Sequence, residues 1–309
     1  MQIRSIPVID VGPYLAGVPG AEAAAARELG DALENVGFLS IIGHGVDWSL
    51  VESIYALNRA YHALHIDQKI DHPMSAGSMG YIPLGGAQRG DRAPALNAAF
   101  FMGRPGSKRN RFPSEKALPG FRETTARYYE TLDRLSRRLL ALYARAADMP
   151  AAYFDQFFDP ALGTLRMTHY PPLPAGPDQW GIDPHSDAGF MTLLPTNPTA
   201  GLQVHPEGEE WFAVDQEPCS FVVNSGDTLR RWSNDRFRST VHRALNTTDD
   251  DRYAIPFFFD PRVDTVIECL AGCTDADHPP HHEPLVYRDH LNGFMRDGYA
   301  QLALGTTAP

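Results

Sequence analysis

The chain has 309 residues, of which 43% are hydrophobic and 21% charged, an ordinary composition for a globular protein that can bury a large core. Its formal net charge is -11, with acidic and basic residues interspersed, so neither a nucleic acid nor an anionic membrane is expected as a partner. Three cysteines do not form a secreted disulfide framework, and no segment has the apolar length of a membrane span or a signal peptide. We therefore expect a cytoplasmic protein.

The first half of the chain predicts helices between short strands. Apolar residues recur every three to four positions in the helical segments, and Gly37 ends one of them. Residues 71–120 are rich in Gly, Pro, Arg and Ser, which indicates loops. His62, His65 and His72 are expected on a solvated face. The predicted elements are strands over residues 6–10 and 38–42 and helices over residues 21–36, 50–64, 121–147 and 151–158.

From residue 163 the pattern changes to short apolar or alternating runs that Pro, Gly, Asn and Asp separate. Seven such runs within about 100 residues are typical of a β-sandwich or jelly roll. A final helix is predicted from Tyr287 to Leu304. The predicted strands cover residues 164–170, 190–194, 202–205, 211–214, 221–223, 239–245 and 253–259.

These patterns predict a mainly β protein with flanking α-helices, in which a helical N-terminal half packs on a C-terminal β-barrel or sandwich. We divide the chain into four regions. They are an N-terminal region (1–120), a long support helix with its connection (121–158), a jelly-roll core (159–265) and a C-terminal loop and helix (266–309).

A metal site is predicted from three residues in the second half. His185 and Asp187 are two positions apart, and in a strand such residues point to the same side. His242, 55 residues further along in another predicted strand, is the best candidate for a third ligand. Two imidazoles and one carboxylate on one face of an octahedral ion leave three positions open, which suits Fe(II) that binds a chelating co-substrate and O2. Zinc could bind the same side chains.

Arg252 follows His242 by ten residues and shares a strand face with Ala254, Pro256 and Phe258. An arginine that faces an apolar interior needs an anion, and its planar guanidinium binds a carboxylate through two hydrogen bonds.

The order His-x-Asp, His and Arg at these spacings resembles the isopenicillin N synthase-like Fe(II)/2-oxoglutarate dioxygenases. Further segments over about residues 5–262 resemble the same family. They are Ile6–Asp10, Gly37-Phe38, Gly43–Gly45, Met167–Pro172, Val223–Asp227, Arg231–Phe237 and Ser239–Arg243. The resemblance implies a double-stranded β-helix, or jelly-roll, core with flanking helices.

The resemblance also implies roles for single residues. His185, Asp187 and His242 match the iron ligands, and Arg252 matches the arginine that binds the far carboxylate of 2-oxoglutarate. Tyr170 matches a tyrosine whose hydroxyl assists this arginine. No catalytic residue beyond the metal ligands is implied.

The sequence departs from the family pattern at two positions. The usual Arg-x-Ser is Arg252-Tyr253-Ala254, so a hydroxyl is missing, and a hydrogen bond to a charged group contributes about 1.5–3 kcal/mol. Thr168 stands where plant members have an asparagine, and its hydroxyl can still bond an oxygen. Either Tyr170 and water compensate for Ala254, or the arginine serves a different carboxylate.

The sequence therefore predicts a non-heme Fe(II) oxygenase that uses 2-oxoglutarate and O2. It would hydroxylate, desaturate or cyclise a small organic substrate while 2-oxoglutarate is decarboxylated to succinate and CO2. Three alternatives stay open: an oxidase of the isopenicillin N synthase type without 2-oxoglutarate, an ethylene- and succinate-forming enzyme, and a non-catalytic metal-binding protein. The prime substrate and the oligomeric state are not predicted. Candidate pocket residues are Phe258, Phe190, Tyr81 and Phe294.

Overall fold

The computed structural model describes residues 5–75, 78–88, 92–176, 178–197, 199–215 and 217–299. Among these residues, no helix combines the length and apolar character needed to cross a membrane. Single 3-10 turns lie at Asp155–Phe157 and Ala271–Cys273. The helices are α1 (Gly12–Leu15), α2 (Ala21–Asn35), α3 (Trp48–Ala63), α4 (Ile66–Ile70), α5 (Phe121–Ala146), α6 (Asp227–Trp232) and α7 (Tyr287–Tyr299).

Two sheets form the body of the protein. The strands are β1 (Val8–Asp10), β2 (Phe38–Ile42), β3 (Tyr81–Ile82), β4 (Ala98–Gly103), β5 (Leu162–Tyr170), β6 (Ile182–His185), β7 (Met191–Pro195), β8 (Leu202–His205), β9 (Phe212–Ala213), β10 (Phe221–Ser225), β11 (Val241–Ala244), β12 (Arg252–Ala254), β13 (Phe257–Asp260), β14 (Val266–Ile267) and β15 (Leu285–Val286). The large sheet has the order β1-β2-β10-β7-β13-β5-β4-β3, with β12 also paired to β5. The small sheet has the order β6-β11-β8-β9, and β14 pairs with β15 alone.

The longest helix, α5, supports one face of the large sheet. Its apolar residues recur at helical spacing and are buried against α2, α3 and the sheet. The stripe includes Tyr128, Leu132, Leu135, Leu139 and Leu142. Truncating one such leucine to alanine typically costs about 2–5 kcal/mol, because the packed surroundings relax only partly.

The two faces of strand β5 have different surroundings. One face packs against the helices, and the other faces the small sheet. The strand pairs with β4, β12 and β13 without a break in register. Leu165 and Met167 point to the helices and are fully buried there. Tyr170 points the other way and packs with Ile182 of β6 and Ala244 of β11. Because side chains alternate along a strand, the even-numbered residues of β5 share this second face, which we call the inner face.

The structure confirms a mainly β protein with flanking helices and corrects several element boundaries. The segment 71–120 is not all loop, since β3 and β4 lie within it and β4 is buried. The strand predicted over residues 253–259 is two strands, because Pro256 lacks an N–H group and its carbonyl instead accepts from Arg166 N at 3.0 Å. Residues 300–304 of the predicted last helix lie outside the described residues. The division into four regions stays a prediction.

Two of the three histidines that were expected on a solvated face are buried, so this prediction was wrong. His62 is 7% exposed and its Nε2 lies 3.1 Å from the carbonyl oxygen of Met167. His72 is 5% exposed and its Nε2 lies 2.7 Å from the hydroxyl of Tyr61. Only His65 is exposed. The helix periodicity identified the apolar stripe of α3 but not the buried polar group of His62 within it, and His72 lies beyond α4, where no periodicity applies.

Burial of His62 gives the fold a specific sensitivity to acid. Burial lowers the pKa of His62 to about 3, against an ordinary value of 6.5. The unfolded chain therefore binds a proton that the folded chain rejects, and stability is lost as pH falls from 6.5 toward 3. We expect H62Q, which keeps a donor for the Met167 carbonyl, to show a shallower loss over this interval. Urea unfolding at several pH values measures the slope, with exposed His65→Gln as the control. Equal slopes in H62Q and the unmodified protein would contradict the assignment.

Candidate metal centre

Three side chains from separate parts of the chain meet between the two sheets. The Nε2 atoms of His185 and His242 each lie 3.8 Å from Oδ1 of Asp187. His185 ends β6, and His242 lies directly opposite it on the neighbouring strand β11. Their rings are 4.3 Å apart between centroids. Among the described residues, these three are the one group of His, Cys, Asp and Glu with metal-site geometry.

Backbone contacts orient both imidazoles toward the shared carboxylate. Nδ1 of His185 lies 2.7 Å from the carbonyl oxygen of Asp183, and Nδ1 of His242 lies 3.1 Å from that of Thr240. An Nδ1–H that donates to a carbonyl fixes the tautomer and leaves the Nε2 lone pair free. Phe38 of β2 supports the His242 ring edge-on, with 5.2 Å between centroids. Both histidines are therefore held in the form that binds a metal.

Two buried polar side chains of the large sheet hold the carboxylate of Asp187. Thr192 Oγ1 donates to Oδ2 at 2.7 Å, and Asn224 Nδ2 donates to the same atom at 2.8 Å. Oδ1 is left facing the histidines. Burial alone would raise the pKa of Asp187, but the two histidines and these two hydrogen bonds outweigh burial and lower the pKa. The side chain is therefore a carboxylate ready to bind a cation.

The turn that carries Asp187 is clamped by the start of α6. Asp227 N donates to the Asp187 carbonyl at 2.7 Å, and Thr228 Oγ1 donates to the Ala188 carbonyl at 2.7 Å. At Gly226 an added Cβ would lie 2.6 Å from the Asp187 carbonyl oxygen, so no larger residue fits. His290 of α7 contacts the Ala188 carbonyl from the other side, at 2.9 Å. These contacts fix the loop that the second ligand occupies.

The structure brings the three predicted ligands together, but Asp187 does not reach the site by strand alternation as predicted. Strand β6 ends at His185, so Asp187 lies in the following turn and not in a strand. The prediction did not identify Thr192 and Asn224 as supports of Asp187. A signal for them existed, because each is a polar residue in an otherwise apolar strand, and a buried polar group needs a partner.

Arg252 lies in β12 directly opposite Tyr170, and Ala254 lies opposite Thr168. The Arg252 side chain is 1% exposed, and its Nε and Nη1 have no hydrogen-bond partner among the described residues. Its guanidinium lies 4.7 Å from the centroid of the Tyr170 ring. The hydroxyl of Thr168 is also buried without a partner. Three donor groups on the inner face thus have no hydrogen-bond partner among the described residues.

The candidate pocket residues separate into two groups. Phe190 and Tyr81 do not line the site, which corrects the prediction. Phe190 is fully buried among Tyr143, Phe158 and Trp232 on the helical side. Tyr81 pairs with Phe100, and it packs on the same helical side near Tyr61 and Lys69.

Phe258 and Phe294 stay candidates for the pocket. Phe258 is half-buried and lies opposite Thr192, the residue that holds Asp187. Phe294 is partly exposed on α7.

The donor set fits Fe(II). Two imidazole nitrogens and one carboxylate oxygen on one side of an ion suit an iron that keeps open positions. An ion about 2.1 Å from each donor spans separations up to about 4.2 Å, and the two separations of 3.8 Å fall within that limit. No thiol belongs to the group, which argues against a cysteine-rich zinc site.

Comparisons with known proteins agree with this geometry. Residues 162–261 match the model of the 2OG-Fe(II) oxygenase superfamily. Residues 6–120 match the model described as non-haem dioxygenase in morphine synthesis N-terminal. The first match contains all three metal-site residues and Arg252.

Similar proteins include fungal and plant enzymes. The 2-oxoglutarate-Fe(II) type oxidoreductase hxnY of Emericella nidulans is 30% identical, over 96% of this chain and 90% of the relative. Gibberellin 20 oxidase 1-B of Triticum aestivum is 28% identical, over 93% of this chain and 80% of the relative. A full-length Neurospora crassa protein, solved in complex with alpha-KG and thymine, has a TM-score of 0.86 at 25% identity and 96% coverage of both chains. The structure of JOX2 with 2OG, Fe and JA has a TM-score of 0.79 at 26% identity, covering 94% of this chain and 85% of the other.

The hydrogen bond from Asn224 predicts a measurable effect on metal affinity. In N224A the Oδ2 atom of Asp187 loses one of two donors, so the carboxylate is less well oriented. Loss of such a supporting contact typically weakens metal binding about tenfold to a hundredfold. Anaerobic Fe(II) titration measures the affinity, with exposed Asn35→Ala on α2 as the control. A folded N224A protein with unchanged Fe(II) affinity would contradict this role.

Proposed function

The chain belongs to the 2-oxoglutarate–Fe(II) oxygenase superfamily, and on this premise we propose how its own residues divide the work. It is an Fe(II)- and 2-oxoglutarate-dependent oxygenase that acts on a small molecule with O2 as co-substrate. In the proposal, His185, Asp187 and His242 hold the iron, and Arg252 binds the far carboxylate of 2-oxoglutarate. A jelly-roll core with flanking helices, as expected from the sequence, is the fold of these relatives.

The observation that carries the co-substrate assignment is the unpaired guanidinium of Arg252. A charge buried without a partner is costly, and no acidic residue among those described forms an ion pair with Arg252. A carboxylate from a ligand removes this cost through two charge-assisted hydrogen bonds. The Tyr170 ring, 4.7 Å from the guanidinium, stabilises the cation but supplies no negative charge.

When bound together with 2-oxoglutarate, the iron would activate O2. This chemistry couples two reactions: 2-oxoglutarate is decarboxylated to succinate and CO2, and a C–H bond of the substrate is oxidised. The protein's part is to position the metal and the co-substrate and to exclude water. Asp187 is kept ionised and aimed by Thr192 and Asn224. Backbone contacts at Nδ1 orient both imidazoles so that Nε2 faces Asp187. The residues therefore supply binding and orientation rather than acid–base chemistry.

Thr168 offers a replacement for the serine hydroxyl that is missing at Ala254. The two residues lie opposite each other on β5 and β12, and the Thr168 hydroxyl has no partner. A donor on the neighbouring strand can serve the same carboxylate as one at position 254. We infer that Thr168 and Arg252 bind the co-substrate together, while the hydroxyl role of Tyr170 stays a prediction.

The comparisons narrow the alternatives. Relatives named 2-oxoglutarate-Fe(II) type oxidoreductase or 2-oxoglutarate-dependent dioxygenase disfavour an oxidase without 2-oxoglutarate and a non-catalytic metal protein. An ethylene- and succinate-forming reaction stays open as an outcome of the same site. Structures similar to this chain hold thymine or JA, which supports a small organic substrate rather than a macromolecule. Whether the reaction is hydroxylation, desaturation or cyclisation depends on the substrate.

Arg252 is expected to control the affinity for 2-oxoglutarate. The anaerobic Fe(II) protein should form a visible charge-transfer band with 2-oxoglutarate. In R252A its affinity should fall about a hundredfold or more, because a two-point charged contact is lost. Exposed Arg134→Ala on α5 is the control. Absence of the band at millimolar 2-oxoglutarate in the unmodified protein, or unchanged affinity in R252A, would overturn the assignment.

Restoring the family hydroxyl at position 254 should strengthen co-substrate binding. Ala254 is 4% exposed on the strand face of Arg252, so a serine there adds a donor near the same carboxylate. In A254S we expect about tenfold tighter 2-oxoglutarate binding, the value of one hydrogen bond to a charged group. The same band titration measures it, with exposed Ala213→Ser as the control. Weaker or unchanged binding would mean that position 254 does not reach the ligand.

A further inference from the structure

We propose that Arg166 binds a carboxylate of the prime substrate, so that the substrate is a small organic acid. This rests on the proposed function, because it places the substrate beside the same metal centre. Arg166 lies on β5, two residues before Thr168 and four before Tyr170. Since β5 pairs without a break, all three side chains share the inner face.

The guanidinium of Arg166 is buried without a counter-ion. The residue is 7% exposed, and its Nε has no hydrogen-bond partner among the described residues. Its Nη2 donates to Oδ1 of Asn97 at 3.0 Å. Within the part of the chain that the structure describes, no carboxylate forms an ion pair with it. A buried cation that has only a neutral amide as partner is poorly compensated.

Asn97 holds the guanidinium in place but cannot neutralise it. The asparagine is 1% exposed, and its Nδ2 donates to the Gly181 carbonyl at 2.6 Å. That bond directs the amide oxygen to Arg166. Gly181 immediately precedes β6, the strand that ends in His185. The arginine is therefore tied, through one side chain, to the strand that carries an iron ligand.

Arg166 and Arg252 are separate anion sites. Four residues of strand separate Arg166 from Tyr170, the partner of Arg252, or about 13 Å. Each guanidinium stays near its own pair of strands, since Arg166 lies 5.3 Å from the Phe101 ring and Arg252 lies 4.7 Å from the Tyr170 ring. A 2-oxoglutarate held by iron and Arg252 leaves Arg166 with Asn97 as a neutral partner and with no anion from the described residues. A second anion is needed.

The surroundings of Arg166 indicate the rest of the ligand. Phe101 belongs to a buried apolar cluster with Ile82 and Ala99, and Met295 of α7 packs against it. One guanidinium with neutral neighbours matches a single negative charge, which a carboxylate carries and a phosphate monoester exceeds. The geometry therefore favours a monocarboxylate on an apolar body.

The opposing explanation is that Arg166 is only structural, held by Asn97 and the Phe101 ring. A cation over a ring is stabilised without any ligand. The two explanations differ in one respect: a structural arginine gives no preference for acids over neutral analogues. The test therefore compares acids with their own amides.

The probes are three matched pairs: phenylacetate and phenylacetamide, indole-3-acetate and indole-3-acetamide, and nicotinate and nicotinamide. Each is titrated anaerobically into the protein loaded with Fe(II) and 2-oxoglutarate, with calorimetry for affinity and the visible band for occupancy of the co-substrate. The variants are R166Q and R166K, with R122Q as control. Arg122 is an exposed arginine that also lies over a phenylalanine ring, 4.8 Å from that of Phe112.

We expect at least one acid to bind the unmodified protein about tenfold to a hundredfold tighter than its amide. R166Q should remove that preference, R166K should restore part of it, and R122Q should retain it. No preference in the unmodified protein, no acid bound at millimolar concentration, or a preference that survives in R166Q would each overturn the proposal. Loss of the 2-oxoglutarate band in R166Q would instead assign Arg166 to the co-substrate. Absence of that band in the unmodified protein is the distinct failure of the proposed function.

Discussion

The two hydrogen bonds on Oδ2 of Asp187 are the contact on which the site depends. They come from Thr192 on β7 and Asn224 on β10, so the large sheet holds a residue that follows a strand of the small sheet. Burial raises the pKa of this carboxyl, and the two histidines together with these two hydrogen bonds lower it. With them it stays charged and presents one oxygen to the two histidines. The same hydrogen bonds therefore connect the two sheets and orient the carboxylate for a metal.

The inner face of the large sheet collects positive charge that the protein does not neutralise. Arg252 and Arg166 are both more than nine-tenths buried, and neither forms an ion pair with a described residue. Each instead lies against an aromatic ring of the same sheet. These two buried charges destabilise the ligand-free protein and favour the binding of anions. An anion that binds here removes part of that destabilisation.

Much of this arrangement could be predicted from the sequence, and the failures have physical causes. The ligands and Arg252 were identified because their order and spacing are unusual in combination. The side to which Phe190 points was not, since strand alternation gives two faces but does not say which one meets the helices. Tyr81 lay in a segment predicted as loop, for which no face could be assigned. The hidden strand β4 was missed because its neighbours Gly, Pro and Arg indicate loops, and pairing with β5 overrides that local preference. Arg166 lay in a predicted strand, but burial without a counter-ion is a property of the fold.

The pairing of β2 with β10 has a consequence for how the protein forms. Phe38 lies opposite Asn224 and packs on His242, although it is far from both in sequence. Closing such long loops costs chain entropy before any contact repays it, so topologies of this kind fold slowly. The supports of Asp187 and His242 are complete only when the first and last thirds of the chain have met. We therefore expect the metal to bind after these strands have paired.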